Sequence, residues 1–466
     1  MKNKIGLLLI IPAMLLAGCT TAKKSNSSAS SSSAAPSSSS SEEPVDEYVH
    51  VNVDMTPNLV EKSEPYHLDF KYKDDFFSGS AKTYDKELSM LTFGAVLSTQ
   101  TSQMADAFYS ELEFKDRFII HFDETPTKDS IAYAMAHKTI DNYELFAVNI
   151  RGFDYGMEWA NNFMIGESGD HLGFTARGME IYLALKTFVD TYSQGRNAKI
   201  WVTGYSRGGA VANVLSSLLL TRDDINVQQD NLFVYTFESP NCLSEEHAVA
   251  YENVHNIINT NDLITNIPPT SYGLHRCGVD YEIYDANIST LIKGLDEDIV
   301  VPEFVNIEAS EMITNDQELN SYILKCLFDS SAEEQYLANT REQYVEHYQA
   351  GFSYMIGLIF ALKPETRSQL LADLSNLGMG AISLLADETG EELANFFKPY
   401  LDQDEIEYQY GVLVGHCATF RNAAVYLLLQ PLLFYVTETY RPDMVRLLDM
   451  HYVESVYVLL QNAHEK

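Results

Sequence analysis

Ser206 is the residue of this chain best placed for covalent chemistry. It lies in Gly204-Tyr205-Ser206-Arg207-Gly208, a G-x-S-x-G pattern. The apolar run Ala198 to Thr203 leads straight into it, and the helix-forming run Arg207 to Leu220 leads straight out. A strand that turns sharply into a helix lifts a serine hydroxyl clear of its own backbone, and a Cβ at Gly204 or Gly208 would clash across the bend. A serine hydroxyl is a weak nucleophile until a base takes its proton and an acid orients that base. Asp262 is the leading acid, because it follows the apolar run Val254 to Ile258, at the carboxyl edge where α/β sheets build their sites. Glu238 is the second choice, with pairing to Arg207 or capping of a turn as its more natural role.

These groups need a scaffold, and the chain encodes one. Arg117 to Phe122, Ile131 to Ile140, Leu145 to Ile150, Ala198 to Thr203, Leu232 to Phe237 and Val254 to Ile258 read as strands. Lys86 to Phe108 reads as one helix, Phe174 to Tyr192 as a second and Arg207 to Leu220 as a third. Apolar strands alternating with helices predict an α/β fold, a mostly parallel sheet covered on both faces. Beyond about Tyr284 helical patterns dominate, so residues 285–445 are expected to form a helical insertion or cap within one domain spanning 46–466.

Five segments, taken in order, resemble the class 3, or fungal-type, lipases of the α/β-hydrolase fold. Asn149-Ile150-Arg151-Gly152-Phe153 is similar to the family's oxyanion strand, and His171-Leu172-Gly173-Phe174 to its helix start. Val202 to Ala210 is similar to its nucleophile turn. Tyr235 to Pro240, then Asn261 to Pro269, are similar to the two strand ends that follow. The resemblance covers about residues 140–280. It implies ester hydrolysis on acylglycerols or related lipids, with no cofactor. It also implies an oxyanion hole made by the N–H groups of Phe153 and Arg207, Phe153 standing where the family usually has Ser or Thr. Tyr205 and Arg207 depart from the usual His and apolar residue, and resemble a bacterial branch of the family.

The resemblance implies the chain order serine, acid, histidine, which leaves His275, His347, His416, His451 and His464 as bases. His451, just before the last helical pattern, is the first choice, and His416 in Gly415-His416-Cys417 the alternative. Apolar segments such as Phe352 to Leu362 and Ile382 to Leu385 read either as a cap over the site or as ordinary core. Met157, Trp159, Phe163, Met164 and Ile165 read either as a small lid or as core.

With 31 Lys and Arg against 66 Asp and Glu, the net charge of −35 argues against a nucleic-acid binder, which needs basic clusters. Lys2 and Lys4 precede the apolar stretch Ile5 to Leu16, which ends in Leu16-Ala17-Gly18-Cys19. This resembles a bacterial lipoprotein signal, with residues 1–18 removed and Cys19 acylated. Residues 19–45, rich in Ser, Ala, Pro and Glu, are expected to form a disordered tether. The expected location is therefore the extracellular face of a cell membrane, held by a lipid anchor. Cys242, Cys277, Cys326 and Cys417 then remain, as disulfides or buried thiols, and their spacing gives zinc no support.

These features together point to a serine ester hydrolase acting on a lipid or other acyl ester. An acyltransferase or peptidase could use the same three groups. A non-catalytic lipoprotein that binds lipid or cell wall could use the same scaffold.

Overall fold

The computed structural model describes residues 48–57, 64–152, 156–260, 262, 264–285, 288–295, 340–363, 365–367, 369–370, 373, 384, 389–401, 410–423 and 451–462. The signal, the tether, Cys19, Phe153 and Cys326 lie outside the described residues.

The strands are β1 (Val49–Met55), β2 (Tyr66–Tyr72), β3 (Lys115–Ile120), β4 (Tyr133–Ile140), β5 (Tyr143–Ile150), β6 (Asn197–Tyr205), β7 (Leu232–Phe237), β8 (Leu243–Ser244), β9 (Val254–Asn259), β10 (Leu274–His275) and β11 (Val279–Ile283). Seven of them form one sheet in the order β11-β9-β7-β6-β5-β4-β3. Neighbours from β5 to β11 pair in parallel, while β3–β4 and β4–β5 pair antiparallel. The mostly parallel expectation therefore holds, with an antiparallel edge.

The helices are α1 (Lys86–Ser98), α2 (Ser102–Glu111), α3 (Leu172–Tyr192), α4 (Arg207–Thr221), α5 (Ile288–Lys293), α6 (Arg341–His347), α7 (Gln349–Ala361), α8 (Glu391–Phe397) and α9 (Val453–Asn462). Strand periodicity sorts side chains onto two faces. Phe146, Val148, Ile200, Val202 and Val234 join Ile181 and Leu185 of α3 and Val211 and Leu215 of α4 in one core. Leu145, Ala147, Trp201, Tyr205 and Tyr235 face the other way, against α1, α2, the β1–β2 hairpin and α9. Central strands buried on both faces explain why β5 and β7 read as mostly apolar runs with no alternation. The layered, mostly parallel sheet, with helices on both faces and further helices near the C-terminus, is the α/β architecture expected.

Two sequence readings are corrected. The single helix expected over Lys86 to Phe108 is two, α1 and α2. The break falls at Thr99 and Thr101: Thr99 Oγ1 donates to the Val96 carbonyl at 2.7 Å, and Thr101 Oγ1 caps the new helix by accepting from Met104 N–H at 3.1 Å. Hydroxyls that bond their own backbone end one helix and start the next. The hairpin of β1 and β2 was not anticipated, although its inward residues alternate strictly, with Val51, Val53 and Met55 packed beside Leu68, Phe70 and Tyr72. The described residues beyond Tyr284 are helical, apart from short connecting turns.

Candidate active site

The turn from β6 into α4 forms the sharp bend that the glycines foretell. Ser206 adopts φ 51° and ψ −121°, a conformation that costs an L-residue free energy and persists only when its surroundings enforce it. They do so by contact. A Cβ on Gly204 would stand 2.2 Å from the Gly208 carbonyl oxygen, and one on Gly208 would stand 2.5 Å from the Ile150 carbonyl oxygen. Gly152, at the end of β5, is tighter still, since a Cβ there would lie 1.8 Å from the Tyr205 carbonyl oxygen. The Ser206 N–H donates to the Phe237 carbonyl at 2.8 Å, which ties the bend to β7. Arg207 is the first residue of α4, a position whose N–H the helix's own ladder does not use.

His451 Nε2 lies 2.8 Å from Ser206 Oγ, and its Nδ1 lies 2.5 Å from Asp262 Oδ2. The Tyr205 hydroxyl donates to the His451 carbonyl at 2.5 Å, so the residue before the nucleophile grips the residue that faces it. Asp262 is fully buried and follows β9 in a tight turn. Its Oδ1 accepts the Ile264 N–H at 2.8 Å, and its carbonyl accepts the Thr265 hydroxyl at 2.8 Å. Ser206 is 7% exposed and the His451 side chain 17%, so the site is largely screened from water.

The other sequence candidates go elsewhere. His416 stacks on Tyr354 at 3.7 Å, within the helical region. His275 pairs with Leu243 in the short β8–β10 ladder, and His347 ends α6 with a mostly exposed side chain. His464 lies outside the described residues. Glu238 does not pair with Arg207. Its carboxyl oxygens accept the Asn259 N–H at 2.9 and 3.1 Å, and Arg207 turns instead to Glu158. The three described cysteines, Cys242, Cys277 and Cys417, are buried free thiols.

Glu158 is a residue that sequence reasoning missed. It sits in the 3₁₀ turn Gly156–Phe163 and is fully buried between Arg207, at 3.0 Å, and Arg151, at 3.1 Å. Ser130 Oγ also donates to it, at 3.0 Å. Burial pushes the Glu158 carboxyl up from its ordinary range, while the two guanidiniums pull it back down. Arg341 was missed as well. Its guanidinium donates to the carbonyls of Gly166 and Gly169, both at 2.7 Å, of Ile165 at 2.9 Å and of Asp170 at 3.3 Å. Gln349 adds a side-chain oxygen to the N–H groups of Ile165 and Gly166. The stretch after β5 is thus tied to the turn between β6 and α4 at one end and to the helical region at the other. Phe163 packs on Phe352 with ring centroids 4.1 Å apart, and both, with Ile165, belong to one buried cluster with Met355, Ile356 and Ile359. In this arrangement these side chains are core. Neither Glu158 nor Arg341 carries a local sequence signal: Glu158 joins nearby Arg151 to Arg207, 49 residues on, and every Arg341 carbonyl partner lies more than 170 residues away.

Among the described residues no group of three or more His, Cys, Asp or Glu could hold a metal ion, and no helix is long and apolar enough to cross a membrane.

Residues 148–272 match the model of the family described as Lipase (class 3). A lipase of Rhizomucor miehei is 28% identical over 154 residues, and the match covers 31% of this chain and 38% of that lipase. The chain therefore matches well under half of the length of this curated relative. Among solved structures, the Rhizomucor miehei lipase propeptide complex is 21% identical, covering 43% of this chain and 68% of its own, with a TM-score of 0.34. A lipase from Rhizopus microsporus var. chinensis is 18% identical, covering 50% of this chain and 84% of its own, with a TM-score of 0.33.

Proposed function

We propose that this protein is a class 3 lipase-type serine ester hydrolase that cleaves acyl esters of lipids or related molecules. The observation that carries this reading is the unbroken relay from Ser206 Oγ through the His451 ring to Asp262 Oδ2, with links of 2.8 and 2.5 Å. In the mechanism, Ser206 attacks the ester carbonyl while His451 Nε2 takes its proton. Asp262 holds the ring in the tautomer that leaves Nε2 free to accept, and stabilises the imidazolium that forms. The N–H groups of Phe153 and Arg207 receive the developing oxyanion, each such donor being worth roughly 2.7–4 kcal/mol. His451 then protonates the departing alcohol, and water repeats the sequence to release the acid from the acyl-enzyme.

The expected outcome with a fluorophosphonate is one label per chain, on Ser206, and a burst of nitrophenol from nitrophenyl butyrate. A correctly folded Ser206→Ala variant that hydrolyses the ester as fast as its parent would overturn the reading.

The same proposal includes an address: acyl chains on Cys19 hold the enzyme at the outer face of a cell membrane, with residues 19–45 as the spacer. Lipid affinity then comes from the chains, so an anchored chain whose net charge falls from −35 to −37 as Lys2 and Lys4 leave with the signal needs no basic patch. Labelled palmitate should enter the parent and be absent from Cys19→Ala. Label retained in the variant would remove the anchor.

A further inference from the structure

Glu238 occupies a position whose backbone favours glycine. It follows β7 with φ 49°, yet it carries a long side chain that is fully buried. That side chain is committed to one place. Its oxygens accept the Asn259 N–H at 2.9 and 3.1 Å, and the Asn259 carbonyl accepts the Asp262 N–H at 2.9 Å, so one tight turn brings the two buried carboxyls together. Asp262 stands in turn between His451 Nδ1 and the Ile264 N–H.

The charged and titratable neighbours leave Glu238 without a counter-ion. Among the described residues none forms an ion pair with it. Arg276 faces it, but that guanidinium is bonded to both oxygens of Asp280, at 3.2 and 2.6 Å, and to the carbonyls of Ser239 and Thr265. On the nucleophile side stands Tyr205, whose hydroxyl is given to the His451 carbonyl, and Glu454 of α9 faces that tyrosine as a further carboxylate. Two carboxyl groups that touch in a dry site do not both ionise. Asp262 is the one that holds the imidazole, so the shared proton belongs on Glu238.

We propose that Glu238 is a positioning residue, a neutral carboxylic acid whose O–H donates to Asp262 while its other oxygen accepts the Asn259 N–H. Burial first, and the Asp262 charge second, push its carboxyl well above the usual carboxylate range. Asp262 is then fixed by three donors: the imidazole, the Ile264 N–H and the Glu238 acid. This locks its rotamer toward His451. It also spreads its charge, so the proton taken from Ser206 stays on the imidazole and does not pass to the aspartate. Glu238 touches no reacting atom and acts only through Asp262.

The inference rests on the proposed Ser206–His451–Asp262 mechanism, and three substitutions separate the two. Glu238→Ala removes the donor and should lower kcat for nitrophenyl butyrate about 10- to 100-fold with KM unchanged, the size expected of a hydrogen bond to a charged group. Glu238→Gln restores the pattern, an amide N–H for Asp262 and an amide oxygen for Asn259, and should recover most of that loss with the pH profile of the parent. Glu238→Asp is one methylene too short and should behave like the alanine variant, which keeps the test usable where alanine does not fold. The proposal is overturned by a glutamine variant as impaired as the alanine one, or by an aspartate variant as active as the parent. It is also overturned by a glutamine variant whose acid limb of kcat/KM moves to lower pH, as loss of an anion beside the imidazolium would require. Inactive Ser206→Ala alongside such a shift removes only the role of Glu238, whereas active Ser206→Ala removes its premise.

Discussion

Ser206 and His451 are held by opposite means. Ser206 is fixed by backbone contact: Gly152, Gly204 and Gly208 pack main chain against main chain with no room for a methyl group. His451 arrives 189 residues after Asp262 and is fixed by hydrogen bonds, to Ser206, to Asp262 and from the Tyr205 hydroxyl. Steric constraint is absolute, whether the opposing main chain is the next turn or, as for Gly152, another strand. Hydrogen bonding is graded and can be assembled from any part of the chain. The first therefore fails all at once on substitution, and the second in steps.

The largest effect is expected where the relay is cut. His451→Ala should lower kcat/KM on the order of 10⁴-fold without changing the fold, as circular dichroism and ester hydrolysis together would show. On the steric side, Gly152→Ala drives a Cβ into the Tyr205 carbonyl, so activity and folding should be lost together. A folded, active Gly152→Ala would end the contrast. Glu158→Gln tests the ion pairs beneath the bend. Two buried guanidiniums lose their common partner, and urea melts should show a loss of about 3–5 kcal/mol.

A smaller effect should depend on pH. Burial pushes the His171 ring down to about 3, and it sits neutral at the start of α3, bonded to the Asn162 carbonyl. The unfolded chain takes up this proton first, so the ring's contribution to stability is whole above about pH 6.5 and drains away as the pH falls toward 3. The slope is about 1.4 kcal/mol per pH unit. His171→Asn, which can still cap the helix, should flatten that slope by up to one proton in urea melts at several pH values. The smallest change is expected for Tyr205→Phe. Losing one net hydrogen bond of about 0.5–1.5 kcal/mol to the base should reduce kcat up to about tenfold and leave the fold intact.

The same contrast decides what could be read before the structure. The Ser206 turn, its strand and its helix are one contiguous stretch, so their types and spacing announced them. Asp262 could be placed because it directly follows β9. His451 had to be chosen among five histidines on chain order and resemblance, since nothing local marks a residue whose partners are far away. Glu158 and Arg341 left no trace for the same reason, each being defined by groups that only folding brings near. The split of Lys86 to Phe108 was missed because Thr99 and Thr101 fit the apolar spacing of a continuous helix, while their hydroxyls bond locally and break it. The β1–β2 alternation is carried by the residues themselves, every second side chain from Val51 to Met55 and from Tyr66 to Tyr72 being buried.

The buried thiols offer a clock. Burial pushes all three thiols up, Cys277 and Cys417 to about 12, so at neutral pH essentially none is thiolate. Since only the thiolate alkylates, each cysteine stays silent until its own part of the chain opens. Cys242 and Cys277 lie in the core beside α3 and α4, and Cys417 lies in the cluster around α7. Timed iodoacetamide trapping, read peptide by peptide, would therefore show whether the sheet and the helical region come apart together or one before the other.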